Sequence, residues 1–171
     1  MRRLPLLAII ASLIAGSTLL AGPASAAPSK KLTTLTFTTT LTSTGTTLQN
    51  LPGGHTYGWN NLTGESAWGN QAATISFLGD VDYVNGSGPF NGYVTITRAD
   101  GVVLGTHIDG NALAVPEGAA GTRTLFTGSV SVIQGTGAFR GASGIGTMTG
   151  VRKSALGSPV EMTLTLSVLR K

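Results

Sequence analysis

The sequence predicts an all-β protein, an antiparallel β-barrel of about eight strands. Short segments in which apolar and polar residues alternate recur along the chain, and this is the period of a β-strand. Glycine, which accounts for 25 of the 171 residues, is concentrated between those segments, where turns are expected. After the N-terminal region no segment has the apolar spacing of three and four residues that is typical of a helix. A closed barrel is favoured over an open sandwich because closure removes exposed strand edges.

The first 26 residues are predicted to be a secretory signal peptide. Arg2 and Arg3 precede an apolar run over residues 4–20, and the small residues at 24–26 supply a cleavage pattern. An uncleaved membrane anchor is the alternative, since the run is roughly long enough to span a bilayer. We expect residues 27–171 to form one secreted barrel domain, of bacterial type, with no stable membrane association after cleavage.

The charged residues and the absence of cysteine exclude several classes of function. Without cysteine there are no disulfides, no thiol catalysis and no Cys-ligated zinc. Loss of Arg2 and Arg3 with the signal would leave nine basic against seven acidic side chains, a net charge of +2. The basic residues are scattered, so no nucleic-acid partner is expected. With only His55 and His107 available, no metal site and no cofactor are predicted.

The alternation places most of the strands. They are expected at residues 31–41, 73–79, 93–98, 102–108, 125–133, 145–151 and 160–169, with a weaker strand at 43–50. Residues 55–70 show little periodicity and are predicted to be a long loop over one mouth of the barrel. Residues 80–88 and 111–122 are also expected to be loops.

Asp100 and Gly101 form the strongest two-residue hairpin signal in the chain. A two-residue loop would pair Val94 with His107, so that His107 shares the face of Val94, with Asp109 two residues further on. If that face lines the barrel, the imidazole and the carboxylate become candidates for acid–base catalysis. The alternative is that the face is the exterior; one more loop residue would reverse the assignment.

Asp80 and Asp82 lie on one parity just after a strand, beside Tyr83. Two carboxylates two residues apart on one face can share a proton, so both are candidate catalytic residues and Tyr83 is a candidate ligand-binding residue. The alternative is that the two aspartates only form a turn.

Tyr57, Trp59 and Trp68 form a third candidate cluster, for ligand binding. Exposed aromatic side chains stack on sugars, phenols or another protein. The alternative is that the segment folds its own aromatics down to close the end of the barrel.

The glycine-rich segment between residues 129 and 150 predicts two strands and a tight turn. Phe139 is the only large apolar side chain in the turn, so we expect it to be buried as a plug of the core. We also expect Gly135 or Gly137 to have a positive φ, which glycine adopts without a Cβ clash.

Residues 134–144 read QGTGAFRGASG, and residues 88–92 read GPFNG. The first resembles the GGTGxFxxAxG hairpin of the allene oxide cyclase and dirigent barrels, and more closely that of small secreted bacterial proteins with this barrel. The second is similar to a dirigent GPYNG signature. The resemblance implies acidic and tyrosyl groups inside the barrel mouth that bind and reorient a reactive intermediate. It also implies assembly into a homo-oligomer.

Two functions are therefore predicted. The first is a secreted barrel that binds an apolar small molecule, without a strong catalytic motif. The alternative is a cofactor-independent isomerase or cyclase, or a dirigent-like guide for a reactive intermediate, in which shape and one acid or base assist ring closure. The alternative requires at least two of the candidate polar groups to converge in a cavity of roughly 300 Å³ or more.

Overall fold

A computed structural model describes residues 30–154 and 156–170, and this part of the chain is almost entirely β-structure. The predicted signal peptide, residues 1–26, lies outside the described residues. The strands are β1 (Lys31–Thr46), β2 (Gln49–Leu51), β3 (His55–Trp68), β4 (Gln71–Val84), β5 (Gly88–Arg98), β6 (Val103–Pro116), β7 (Thr122–Gly135), β8 (Ser143–Arg152) and β9 (Val160–Arg170). Two single 3₁₀ turns, Gly118–Ala120 and Gly137–Phe139, interrupt them. No helix in the described residues is long and apolar enough to cross a membrane.

Eight of the strands close into an antiparallel barrel. The order is β1-β9-β8-β7-β6-β5-β4-β3, and β3 returns to pair with β1. Strand β1 closes the barrel because it is long enough to pair twice, through residues 31–41 with β9 and through residues 42–46 with β3. The short β2 is an additional strand paired to β3. The predicted all-β barrel is therefore confirmed.

The alternation of apolar and polar residues along each strand determines which side chains form the core. On β9, Leu164, Leu166 and Val168 are fully buried, while Thr165 and Ser167 between them lie on the outer side. The other strands of the barrel also turn alternate side chains inward, less regularly on β3, and these side chains form the core. The largest fully buried residues are Phe37, Leu41, Ile75, Ile96, Leu104, Ile108, Met162, Leu164, Leu166, Val94, Val168 and Thr106.

One end of the barrel is closed by aromatic side chains, and we call it the capped end. The rings of Trp68 and Phe139 lie 5.0 Å apart between centroids, and Phe37 meets Trp68 edge-on at 5.5 Å. Phe139 is 3% exposed, and Gly137 has φ +54° at the start of its turn. The predictions for both residues are confirmed. The opposite end, where β4, β6 and β8 finish, is called the mouth.

The prediction of a loop at residues 55–70 is wrong, since residues 55–68 are strand β3. Its inward positions include Gly58, Asn60, Gly64 and Ser66, and these small or polar residues hide the apolar alternation that marks a strand. The strand forms because it pairs along its whole length with β4.

Two other predicted loops are also mostly strand. Strand β4 continues to Val84, so that only residues 85–87 turn before β5 begins. Strand β6 continues to Pro116, which leaves a turn at residues 117–121. Turn-forming residue types in these stretches lie at positions where pairing with a neighbouring strand overrides local preference.

The register predicted for the hairpin at Asp100 is wrong by one residue. The amide of Arg98 donates to the carbonyl of Val102, and Gly101 adopts φ +84°, as in a three-residue loop with a glycine bulge. Asp100 stabilises this loop by accepting hydrogen bonds from the Arg98 guanidinium at 2.7 and 2.9 Å. His107 consequently pairs with Tyr93 instead of Val94.

Candidate functional site

The mouth contains a small, mainly apolar cavity of about 60 Å³ that enters the barrel. The strands place their inward side chains around it because β1, β3, β4, β5, β7, β8 and β9 all reach this end. Its apolar lining comprises Leu41, Leu48, Leu62, Phe77, Val81, Phe90, Phe126, Met148, Leu156, Val160 and Met162. The polar residues of the lining are Ser43, Asn60, Tyr83, Arg152 and Ser158.

Arg152, the last residue of β8, is a buried cation in the wall of this cavity. Arg152 is 6% exposed. Its Nη2 atom donates a hydrogen bond at 3.0 Å to the hydroxyl of Thr124, the residue opposite Arg152 on β7. The guanidinium carbon lies 5.4 Å from the centroid of the Phe126 ring, within range of a cation–π interaction. Its Nε atom is buried and has no hydrogen-bond partner among the described residues.

Tyr83 of β4 lies close enough to Arg152 for their charges to interact. Burial raises the pKa of Tyr83 to about 12, and the positive charge of Arg152 partly opposes that rise. Burial lowers the pKa of Arg152 from its ordinary value, with Tyr83 acting in the opposite direction. At neutral pH the site therefore combines a neutral phenol with a charged guanidinium.

A wider cleft of about 510 Å³ adjoins the cavity on the outside of the mouth. Its lining is more polar and includes Thr56, Asn85 and Thr122. Tyr83, Arg152 and Leu156 line both spaces. A molecule with its apolar part in the cavity therefore meets the guanidinium at the junction and reaches solvent through the cleft.

Of the residues predicted from sequence, Tyr83 is the one in the cavity wall. Asp80 and Asp82 alternate with the inward Gly79, Val81 and Tyr83, so both carboxylates lie on the outer face. Their cross-strand partners on β3 are Trp59 and Tyr57, respectively, which are also exposed on that face.

The four residues are thus brought together on the exterior of β3 and β4, away from the cavity lining. Asp82 also contacts the imidazole Nε2 of His55 there. The interpretation of Asp80 and Asp82 as turn formers is wrong as well, because both lie within strand β4.

The three-residue loop places His107 and Asp109 on the exterior. His107 Nδ1 lies 3.2 Å from the Asp109 carboxylate, and its ring packs against Tyr93 at 5.0 Å between centroids. Neither side chain lines the cavity or the cleft. The hypothesis that this pair points into the barrel is wrong, because the hairpin loop is one residue longer than predicted and His107 therefore faces outward.

Trp68 belongs to the capped end and not to a binding surface. It is buried against Phe37 and Phe139, and the Arg98 guanidinium lies 5.3 Å from its ring centroid. The alternative considered for the aromatic cluster, closure of one barrel end, therefore describes Trp68 and does not describe the exposed Tyr57 and Trp59.

Arg152 is the site residue that sequence reasoning missed. It is one of the scattered basic residues of the sequence, although it has the parity of Met148 and Gly150 on the same strand. That parity was the available signal, because a charged residue in the inward series of a barrel strand is unusual.

No group of three or more histidine or acidic side chains that could hold a metal ion occurs within residues 30–154 and 156–170. No protein-family model, no curated protein and no solved structure matches this chain.

Proposed function

We propose that this protein is a secreted barrel that binds an apolar small molecule at its mouth and does not act on it catalytically. The observation that carries the proposal is the cavity at the mouth, lined mainly by aliphatic, aromatic and methionine side chains. Small-molecule sites are concave and mostly apolar, with a few polar groups that fix orientation. Tyr83 and Arg152 supply such groups. Secretion rests on the N-terminal sequence pattern.

Binding is proposed in preference to cyclase or dirigent-like chemistry because the candidate catalytic groups lie outside the cavity. Asp80, Asp82, His107 and Asp109 are all absent from the cavity lining, so the convergence of polar groups that such chemistry requires does not occur there. A relation to the allene oxide cyclase and dirigent barrels is part of the proposal. It is supported by the eight-stranded closure and the buried Phe139 of the matching turn. Homo-oligomer formation stays a prediction that light scattering on the purified protein would test.

The two methionines of the cavity provide the test. Met148 and Met162 both line it, and the remaining methionine of the chain is Met1. We expect toluene, added to protein with isotope-labelled methionine methyl groups, to shift the NMR signals of Met148 and Met162 in a saturable way. Signals that do not move, or that move without saturation, would contradict the proposal.

A cavity-filling variant gives the control. Val81 lines the cavity, whereas Val84, on the same strand, is exposed on the outer face. We expect Val81→Trp to abolish the toluene-induced shifts and Val84→Trp to preserve them. Equal binding by both variants would place the toluene site elsewhere.

A further inference from the structure

The charge of Arg152 has no counter-ion in the described structure. Among the described residues, three Lys or Arg side chains pair with carboxylates and two histidines contact aspartates, and none of these contacts includes Arg152. A buried charge is strongly unfavourable unless it is paired and hydrogen-bonded. In this respect Arg152 differs from Arg98 and Arg123, each of which pairs with a carboxylate.

The neighbours of Arg152 compensate for its burial only in part. The Thr124 hydroxyl accepts one hydrogen bond and the Phe126 ring contributes a cation–π contact, but both groups are neutral. Tyr83 is the ionisable side chain among the described residues that interacts with Arg152. A phenol is already neutral at neutral pH, and burial raises the pKa of Tyr83 further, to about 12. The guanidinium therefore keeps a positive charge with no opposite charge beside it, and its buried Nε donates no hydrogen bond to the described residues.

We propose that the ligand of the mouth is a compact organic anion, a carboxylate with an aromatic or branched apolar body, and that Arg152 is its counter-charge. This inference rests on the proposed function. A guanidinium presents parallel N–H groups that match the two oxygens of a carboxylate, and such charge-assisted hydrogen bonds are roughly twice as strong as those between neutral groups. The apolar cavity, of about 60 Å³, takes only the inner part of the body, and the rest lies in the adjoining cleft of about 510 Å³ beside Arg152. The small inner space favours a compact group over a long acyl chain.

The first experiment uses the unaltered protein and two probes of nearly the same shape. Sodium benzoate carries the carboxylate, and benzamide replaces it with a neutral amide. We expect both probes to shift the methyl signals of Met148 and Met162. Benzoate should bind at least about tenfold more tightly, because a hydrogen bond to a charged group lowers the free energy of binding by about 1.5 kcal/mol or more.

The outcomes distinguish the proposed function, binding at the mouth, from the inference that the ligand is an anion. Equal affinity for benzoate and benzamide would overturn the anion inference and leave the proposed function intact. If neither probe nor toluene binds, the proposed function and the inference both fail. Tighter binding of benzoate supports both.

The second experiment replaces Arg152. We expect Arg152→Met to weaken benzoate binding much more than benzamide binding, so that the tenfold preference is lost, and Arg152→Lys to retain part of that preference. Arg140→Met is the matched control, since Arg140 is exposed at the capped end and its loss removes the same charge. An unchanged preference in Arg152→Met would overturn the assignment of Arg152.

The stability of Arg152→Met separates a ligand-binding role from a structural one. Replacing a buried charge that has no counter-ion by an apolar side chain of similar length removes the cost of keeping that charge out of water. We therefore expect the ligand-free variant to melt at or above the temperature of the unaltered protein. A clear fall in melting temperature, together with equal probe affinities in the unaltered protein, would assign Arg152 to the fold alone.

Discussion

Truncation of Phe139 tests how the capped end holds the barrel together. In Phe139→Ala the ring that closes this end is removed, and its partner Trp68 loses an aromatic contact at 5.0 Å between centroids. The Arg170 guanidinium, 5.0 Å from the same ring, loses a cation–π contact. Neither neighbour can simply move into the space, because each is anchored on its own strand.

The expected cost follows from these contacts. Burial of the ring contributes ~1.5–3 kcal/mol, the aromatic pair adds ~0.5–1.5 kcal/mol, and the cation–π contact adds ~0.5–1 kcal/mol. This agrees with the ~3–5 kcal/mol usually lost when a core phenylalanine becomes alanine. For a domain of this size the melting temperature should fall by roughly 10–20 °C.

Thermal unfolding followed by circular dichroism measures the loss. Ile145→Ala is the matched control, because Ile145 is 73% exposed on β8 and should change the melting temperature little. In a Trp59→Phe background, fluorescence reports on Trp68 alone, and Phe139→Ala should shift its emission to the red. A Phe139→Ala protein that melts within a degree or two of its parent would refute the assignment of this ring as the plug of the barrel.

Three further predictions concern pH, backbone packing and the exterior. Because the pKa of Tyr83 rises from about 10 to about 12 on folding, the unfolded state loses this proton first, so stability should fall as pH rises through that interval. Urea titrations at several pH values should show that Tyr83→Phe removes this part of the slope; an unchanged slope would contradict the assignment. A Cβ at Gly92 would overlap the backbone carbonyl of Leu78 and meet the Phe77 ring at 2.7 Å, whereas one at Gly45 meets nothing within 4 Å. Gly92→Ala should therefore lower the unfolding free energy in urea by ~1–3 kcal/mol and Gly45→Ala should not; equal effects would argue against close packing at Gly92. Since His107 and Asp109 lie outside the cavity, replacing both by alanine should leave the NMR-measured affinity for toluene unchanged, and a large loss would return them to the site.

The sequence by itself determined the fold class and much of the core. Alternation is a local property, so the burial of Leu164, Leu166 and Val168 on β9 could be predicted without knowing their neighbours. The turn around Phe139 was predictable for the same reason, since a glycine-rich segment with one large apolar residue has one way to anchor itself.

Tertiary structure decided the candidate site. One extra residue in the loop at Asp100 moved His107 from the predicted interior to the exterior, because successive side chains of a strand point to opposite faces. Residues 55–68 form a strand because they pair with β4, and their own sequence pattern does not predict one. Arg152 became a buried cation only when closure of the barrel brought Thr124, Phe126 and Tyr83 around it, because the burial and charge balance of a side chain depend on strands distant in sequence.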